Sequence, residues 1–226
     1  MNFKIYIIFP LFFLLVIFIV SSCGKKRNEK LGQTYYKLAL LELTTQEQSQ
    51  STPDHTYRQA LLNAEKALSE DERPEYLALK GTILFKLNHI RESLMYFKKA
   101  LAINPDPVVK AEILNNYACI LAQTGKTKKA LFIWKNLERN NHYLTPEVAI
   151  FNQGKVYANK QDYNHAKSLF LNAIYIAPQY LDAHYSLALA AFACGDLKLA
   201  KNELKTVLYL EPSHFQAKKL AKTLGL

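Results

Sequence analysis

Four stretches of this chain carry the same order of small and large residues at fixed offsets. Gly81, Ala118, Gly154 and Ala188 stand first. Twelve positions on come Ser93, Ala130, Ala166 and Ala200; four further, the bulky Phe97, Trp134, Phe170 and Leu204; three further again, Ala100, Leu137, Ala173 and Val207. Pro105, Pro178 and Pro212 follow five positions later in three of the copies. The leading residues are 37, 36 and 34 apart. A period of this length marks stacked supersecondary units, none of which can bury its apolar face without a neighbour.

The offsets fit a helix hairpin. Small residues at Gly81 and Ser93, or Gly154 and Ala166, let two helices cross closely, and Phe97, Trp134 and Phe170 are expected to fill the space between hairpins. Turns are predicted near Asn88, Gly125, Gln161 and Gly195, residues that tolerate positive φ. Pro105, Pro178 and Pro212 end the second helices, because proline cannot donate the next hydrogen bond.

This order and period resemble the tetratricopeptide repeat. The resemblance implies an all-α, right-handed superhelical solenoid of helix hairpins with a C-terminal capping helix. Its repeats run at about 30–73, 74–107, 111–146, 147–180 and 181–212, with the cap at 213–224, about eleven helices in all. The first repeat is degenerate. Leu31–Leu43 and Pro53–Leu68 read as helices, Thr44–Thr52 as a polar loop between them, and Ala60, Ala64 and Ala67 keep the repeat's spacing. Ser213 is the expected cap of the last helix, which turns Lys218, Lys219 and Lys222 outward.

The N-terminus reads as an address. Lys4 precedes an apolar stretch, Ile5–Val20, followed by Ser21-Ser22-Cys23 and then Gly24-Lys25-Lys26-Arg27. A charged start, a short hydrophobic run and small residues make a secretory signal. Val20-Ser21-Ser22-Cys23 resembles the bacterial lipobox. That resemblance implies residues 1–22 as a lipoprotein signal peptide, cleavage before Cys23, acyl chains on Cys23 and a lipidated tether over 23–29. With Gly24 and not Asp after the cysteine, the resemblance favours, in enteric-type bacteria, the periplasmic face of the outer membrane. Several acyl chains anchor firmly where one binds only marginally.

Composition bounds the rest. Of 226 residues half are hydrophobic, and the formal net charge is +10 with a pI near 9.3. The lysines read as a solvated surface, and no basic run with interleaved aromatics points to nucleic acid. Cys119 and Cys194 read as buried thiols acting as small hydrophobes. The six histidines show no metal-ligand spacing. Ala122-Gln123-Thr124-Gly125-Lys126-Thr127 ends like a phosphate loop, but Ile120 stands where the first glycine belongs and a helix precedes it. Glu70, Asp71 and Glu72 read as a charged turn. The expectation is a non-enzyme with no cofactor, no metal and no small-molecule substrate.

Helical spacing on the first helix of each hairpin defines a candidate groove. It holds Ala78, Thr82 and Phe85; Asn115, Cys119 and Gln123; Phe151, Lys155 and Asn159; and Tyr185, Leu189 and Phe192. The residues expected to meet a protein partner are Phe85, Asn115, Gln123, Phe151, Lys155, Asn159, Tyr185 and Phe192. Aromatics supply area and amides satisfy the backbone of an apolar segment. Some repeat relatives clamp a C-terminal carboxylate with Lys and Arg around Asn; here Asn115, Asn116 and Lys155 are present without an Arg.

Two stretches are more particular. Asn115–Gly125, and Asn141-His142-Tyr143-Leu144-Thr145-Pro146 leading into Asn152-Gln153-Gly154, resemble the type IV pilus biogenesis and stability lipoproteins, the pilotins. The resemblance implies a partner in a secretin subunit and a role in outer-membrane secretin and pilus assembly. The alternative expectation is an envelope adaptor that scaffolds peptidoglycan hydrolases or another secretion complex.

Overall fold

A computed structural model describes residues 28–44 and 53–226. Cys23, the apolar run before it, and residues 45–52 of the polar loop lie outside the described residues. Within them the chain forms eleven helices. They are α1 (Glu29–Thr44), α2 (Pro53–Glu70), α3 (Pro74–Lys86), α4 (Ile90–Ala102), α5 (Pro107–Gln123), α6 (Thr127–Leu137), α7 (Pro146–Asn159), α8 (Tyr163–Ile176), α9 (Leu181–Ala193), α10 (Leu197–Leu210) and α11 (Phe215–Thr223). Consecutive helices pair as hairpins, α1 with α2 through α9 with α10, and each hairpin stacks on the next. The array is a tetratricopeptide-type solenoid. No described helix is long and apolar enough to cross a membrane.

Local chemistry sets the helix ends. Pro74, Pro107 and Pro146 open α3, α5 and α7, where the missing N–H would lack a partner in any case. Asp residues open two second helices: Asp162 accepts from His165 N at 3.3 Å, and Asp196 from Leu199 N at 3.1 Å. All four predicted turn residues have positive φ: Asn88 64°, Gly125 80°, Gln161 63° and Gly195 80°. Gly125 therefore sits in the turn between α5 and α6, after a helix, which disposes of the phosphate-loop likeness. Asn104, at φ 53°, adds a further left-handed turn just before Pro105.

The repeat signature becomes packing. Every small and bulky residue of the four copies is buried. A Cβ on Gly154 would lie 2.6 Å from the Phe170 ring, and one on Gly81 would lie 2.8 Å from the Phe97 ring. The bulky residue thus sits inside its own hairpin, pressed onto the small one, and from there reaches the next. Phe97 stacks on Tyr117 of α5 at 5.9 Å between centroids, and Trp134 shares a cluster with Ala149 and Val156 of α7. The expectation of a purely inter-hairpin filler was incomplete, because the glycine opens a notch on the near side.

The degenerate first hairpin is antiparallel. Gly32 packs beside Ala67 and Glu70, and at the other end Asn63 Nδ2 donates to both Glu42 carboxylate oxygens at 3.0 and 3.1 Å. Glu70 is buried there, unlike the turn residue Asp71, which pairs with Arg73 at 2.7 Å. Two further expectations are corrected. His214, not Ser213, caps α11: its Nδ1 accepts from Ala217 N at 3.2 Å, while Ser213 turns to Glu211. Cys194 is exposed, because α9 ends at Ala193 and leaves the thiol in the turn. Lys218, Lys219 and Lys222 do face outward.

The Gly154 notch yields a test. Gly154→Ala gains about 1 kcal/mol of helix propensity but overpacks a close-packed site at a cost of about 1–3 kcal/mol. A net loss on the order of 1 kcal/mol is expected in urea unfolding, and it should shrink when Phe170→Leu vacates the notch.

Candidate partner-binding groove

The first helices α5, α7 and α9 line two adjoining clefts. One, of about 370 Å³, is walled by Cys119, Ala122 and Gln123 of α5 and by Asn152, Lys155, Val156 and Asn159 of α7, with Trp134 at its side. The next, of about 330 Å³, lies between α7 and α9 and is lined by Lys155, Ala158 and Asn159 together with Ser186, Leu189 and Ala190. Lys155 and Asn159 border both. No carboxylate lines either cleft.

The structure sorts the predicted residues by depth. Gln123, Lys155 and Asn159 are exposed and meet in the first cleft. Asn115 and Phe151 are buried, a correction: they lie one helical turn before Cys119 and Lys155, where the neighbouring hairpin covers the helix. They build the groove from beneath. Phe151 packs between the rings of Phe170 and Tyr180, at 5.5 and 5.0 Å, and carries the Lys155 ammonium 4.9 Å above its own centroid. That cation–π contact holds Lys155 over the groove floor. Phe85 is half-buried against the core of the second and third hairpins and lines neither cleft. Tyr185 is drawn against the His214 ring at 4.8 Å, so the capping helix uses it. Phe192 is exposed but lies outside both clefts.

Beneath the first cleft lies a polar knot that sequence reasoning did not find. Asn115 Oδ1 accepts from Trp134 Nε1 at 3.0 Å and from Asn152 Nδ2 at 3.3 Å. One buried carbonyl thus ties α5 to α6 within a hairpin and to α7 of the next. Asn152 Nδ2 also lies 3.6 Å from Cys119 Sγ. The two particular stretches of sequence, around Asn115 and around Asn152, are thereby brought together. Between them the 138–145 link takes the place of the proline found in the other copies. Tyr143 fills it, buried among Ala111, Ala118 and Ala149, and that burial pushes its phenol up to about 12.

The electrostatics suit recognition better than catalysis. Burial raises the Cys119 thiol above its usual value, and nearby Lys155 only partly offsets this, so the thiolate a nucleophile needs is disfavoured. The buried His184 bridges Glu203 Oε2 at 2.6 Å and the Pro178 carbonyl at 3.0 Å. It joins α9 to α10 and to the turn before α9, which is a structural role. No group of His, Cys, Asp or Glu among the described residues could hold a metal. An ammonium, amides and a few apolar walls can bind an extended chain: the amides satisfy peptide groups and Lys155 meets a carbonyl or carboxylate.

The sequence pattern of the tetratricopeptide repeat matches residues 74–107, 148–180 and 181–214. The chain thus contains three tetratricopeptide repeats, units of a fold that serves as a protein-interaction scaffold. Residues 107–145, between matched copies, fold as the same kind of hairpin with its own loop in place of the terminal proline. Among solved structures the chain is similar to PilW, described as a widely conserved type IV pilus biogenesis factor, at 23% identity over 88% of each chain with a TM-score of 0.70. It is also similar to PilF of Pseudomonas aeruginosa, at 16% identity over 87% of this chain and 89% of that one, with a TM-score of 0.65. TTC0263, a tetratricopeptide-repeat protein of Thermus thermophilus, matches at 20% identity over 85% of this chain and 98% of that one, with a TM-score of 0.66. These likenesses establish the fold. No curated protein sequence matches the chain.

Two expectations follow from the knot. Asn115→Leu removes the shared acceptor and strands two buried donors, a loss of about 1–3 kcal/mol in urea unfolding that should be smaller in a Trp134→Phe background. Cys119 should alkylate more slowly than Cys194 under native conditions near pH 8, read by peptide mass spectrometry, and the difference should vanish on denaturation.

Proposed function

We propose that this protein is a lipid-anchored scaffold on the periplasmic face of the outer membrane, and that its groove holds an extended segment of a secretin subunit during type IV pilus assembly. The anchoring part of this reading rests on Cys23 and the lipobox-like residues before it. The groove part rests on Gln123, Lys155 and Asn159 meeting beside Trp134 with no carboxylate among them. The choice of partner is supported by the sequence likeness to the pilotins and by fold similarity to PilW and PilF.

The occupant this groove suits is a backbone in extended form. Asn159 and Gln123 can each donate to and accept from a peptide group, while the apolar walls take alternate side chains. Lys155, raised over Phe151, favours an acidic side chain or a chain terminus at that point. Trp134 is the chain's only tryptophan and borders this cleft, so its emission reports occupancy.

The test is crosslinking and co-purification from native envelopes. The full-length protein is compared with Cys23→Ala and with Lys155→Glu combined with Asn159→Ala. A secretin should be recovered with the wild type, at strongly reduced yield with the groove variant, and away from the membrane or not at all with Cys23→Ala. Synthetic secretin segments should shift Trp134 emission in the wild type only. Recovery of cell-wall hydrolases without secretin would replace the pilus assignment with the adaptor reading, and equal recovery with the groove variant would remove the groove from it.

A further inference from the structure

The second helices carry a surface that the groove does not use. On α6 the exposed residues Lys128, Lys129, Phe132 and Lys135 fall on one helical face, since positions three, four and seven apart share a side of a helix. Phe132 stands in the middle of it, 69% exposed. On α4 the same positions of the preceding repeat hold Arg91, Met95 and Lys98, all exposed, with Met95 at 43%. Aligned on the repeat, Met95 matches Phe132, Arg91 matches Lys128, and Lys98 matches Lys135. Each helix therefore presents one apolar side chain between a cation one turn before and a cation one turn after.

The two faces are joined. Met95, Leu94, Arg91, Glu92 and Lys98 line a shallow cleft together with Lys126, from the turn that starts α6. Lys128, Lys129 and Phe132 border the next one, floored by Tyr117 and Leu121. Glu92 is the carboxylate on this surface, and it lies 3.3 Å from His89 Nδ1. Glu138 turns away to Gln153 on α7. The sequence holds no such strip in a single run; the helical period and the stacking of two repeats assemble it.

We infer that this α4–α6 face docks on an anionic lipid bilayer. The occupant follows from charge and polarity together. A row of cations needs phosphates in a plane, while Met95 and Phe132, projecting between those cations, need an apolar phase directly beneath them. A bilayer interface offers both within one depth, acyl chains under anionic headgroups. A nucleic acid offers the phosphates, but single strands are held by successive aromatic platforms. Here one ring stands beside a thioether. The inference concerns the second-helix face and holds whether or not the groove reading stands.

Lysine footprinting on the full-length chain tests it. The protein is reconstituted in vesicles of phosphatidylcholine, or of phosphatidylcholine with phosphatidylglycerol, and treated with a water-soluble acylating ester. The two vesicles differ in headgroup charge alone, so their comparison isolates the electrostatic part of docking, and the positions of the protected lysines report the face. Acylation of Lys98, Lys128, Lys129 and Lys135 is expected to fall by at least about fivefold in the anionic vesicles, and to recover in high salt. Lys155, Lys218 and Lys222 serve as internal references and should not change. Phe132→Glu should abolish the protection, with Lys128→Glu plus Lys135→Glu as a second variant should the first not fold. Uniform reactivity, equal protection in neutral vesicles, or protection that survives both variants would overturn the inference. Protection by oligonucleotides in place of vesicles would also overturn it, and would assign the face to nucleic acid.

Discussion

The closeness of two helices over a missing side chain is the constraint on which the solenoid depends. At Gly81 and Gly154 the space a Cβ would fill is taken by the ring of Phe97 or Phe170. Each aromatic is thereby fixed within its own hairpin before it meets another. It then presents a defined edge to the following repeat, as Phe97 does to Tyr117. Close packing of this kind permits little adjustment, so the angle between successive hairpins, and with it the line of the groove, is inherited from the notch. In repeats whose small residue is alanine the bulky partner changes: Trp134 opposite Ala118 and Leu204 opposite Ala188.

The Asn115 knot adds a polar constraint to one junction. The aromatics bind neighbouring hairpins through non-directional contacts. Asn115 Oδ1 is directional, and it takes donors from α6 and α7 at once. A buried carbonyl with both donors in place is worth its burial only in that register. The junction that carries it is also the one where the usual proline is absent and Tyr143 fills the link. Directional bonding there does what a rigid turn does elsewhere in the array.

The sequence carried the architecture well because fixed offsets survive translation into three dimensions. The turn residues, the buried small–large pairs and the outward lysines of α11 could all be read from spacing. Depth could not. A helix in a stacked array is covered by its own hairpin and by neighbours on either side, and a single-helix wheel knows only the first. This is why helical spacing puts Asn115 and Phe151 on the groove surface while the next hairpin covers them, and why it leaves Tyr185 open to a partner while His214 takes it. Cys194 was misplaced because α9 stops one residue short of it. The cationic face of α4 and α6 escaped because its members are 37 residues apart in the chain. The Trp134 indole, with an N–H that must find an acceptor when buried, was the one signal that pointed toward the knot.

The position of Lys155 and Asn159 on both rims of α7 has a thermodynamic consequence. The two clefts are not independent sites. An occupant that draws the Lys155 ammonium toward α5 withdraws it from the cleft facing α9, and the reverse holds equally. Two short ligands in the proposed groove would therefore compete for one cation and bind with negative linkage, whereas a single chain long enough to run past α7 would use it once. On the proposed reading, such a groove would discriminate by length and measure whether its ligand continues.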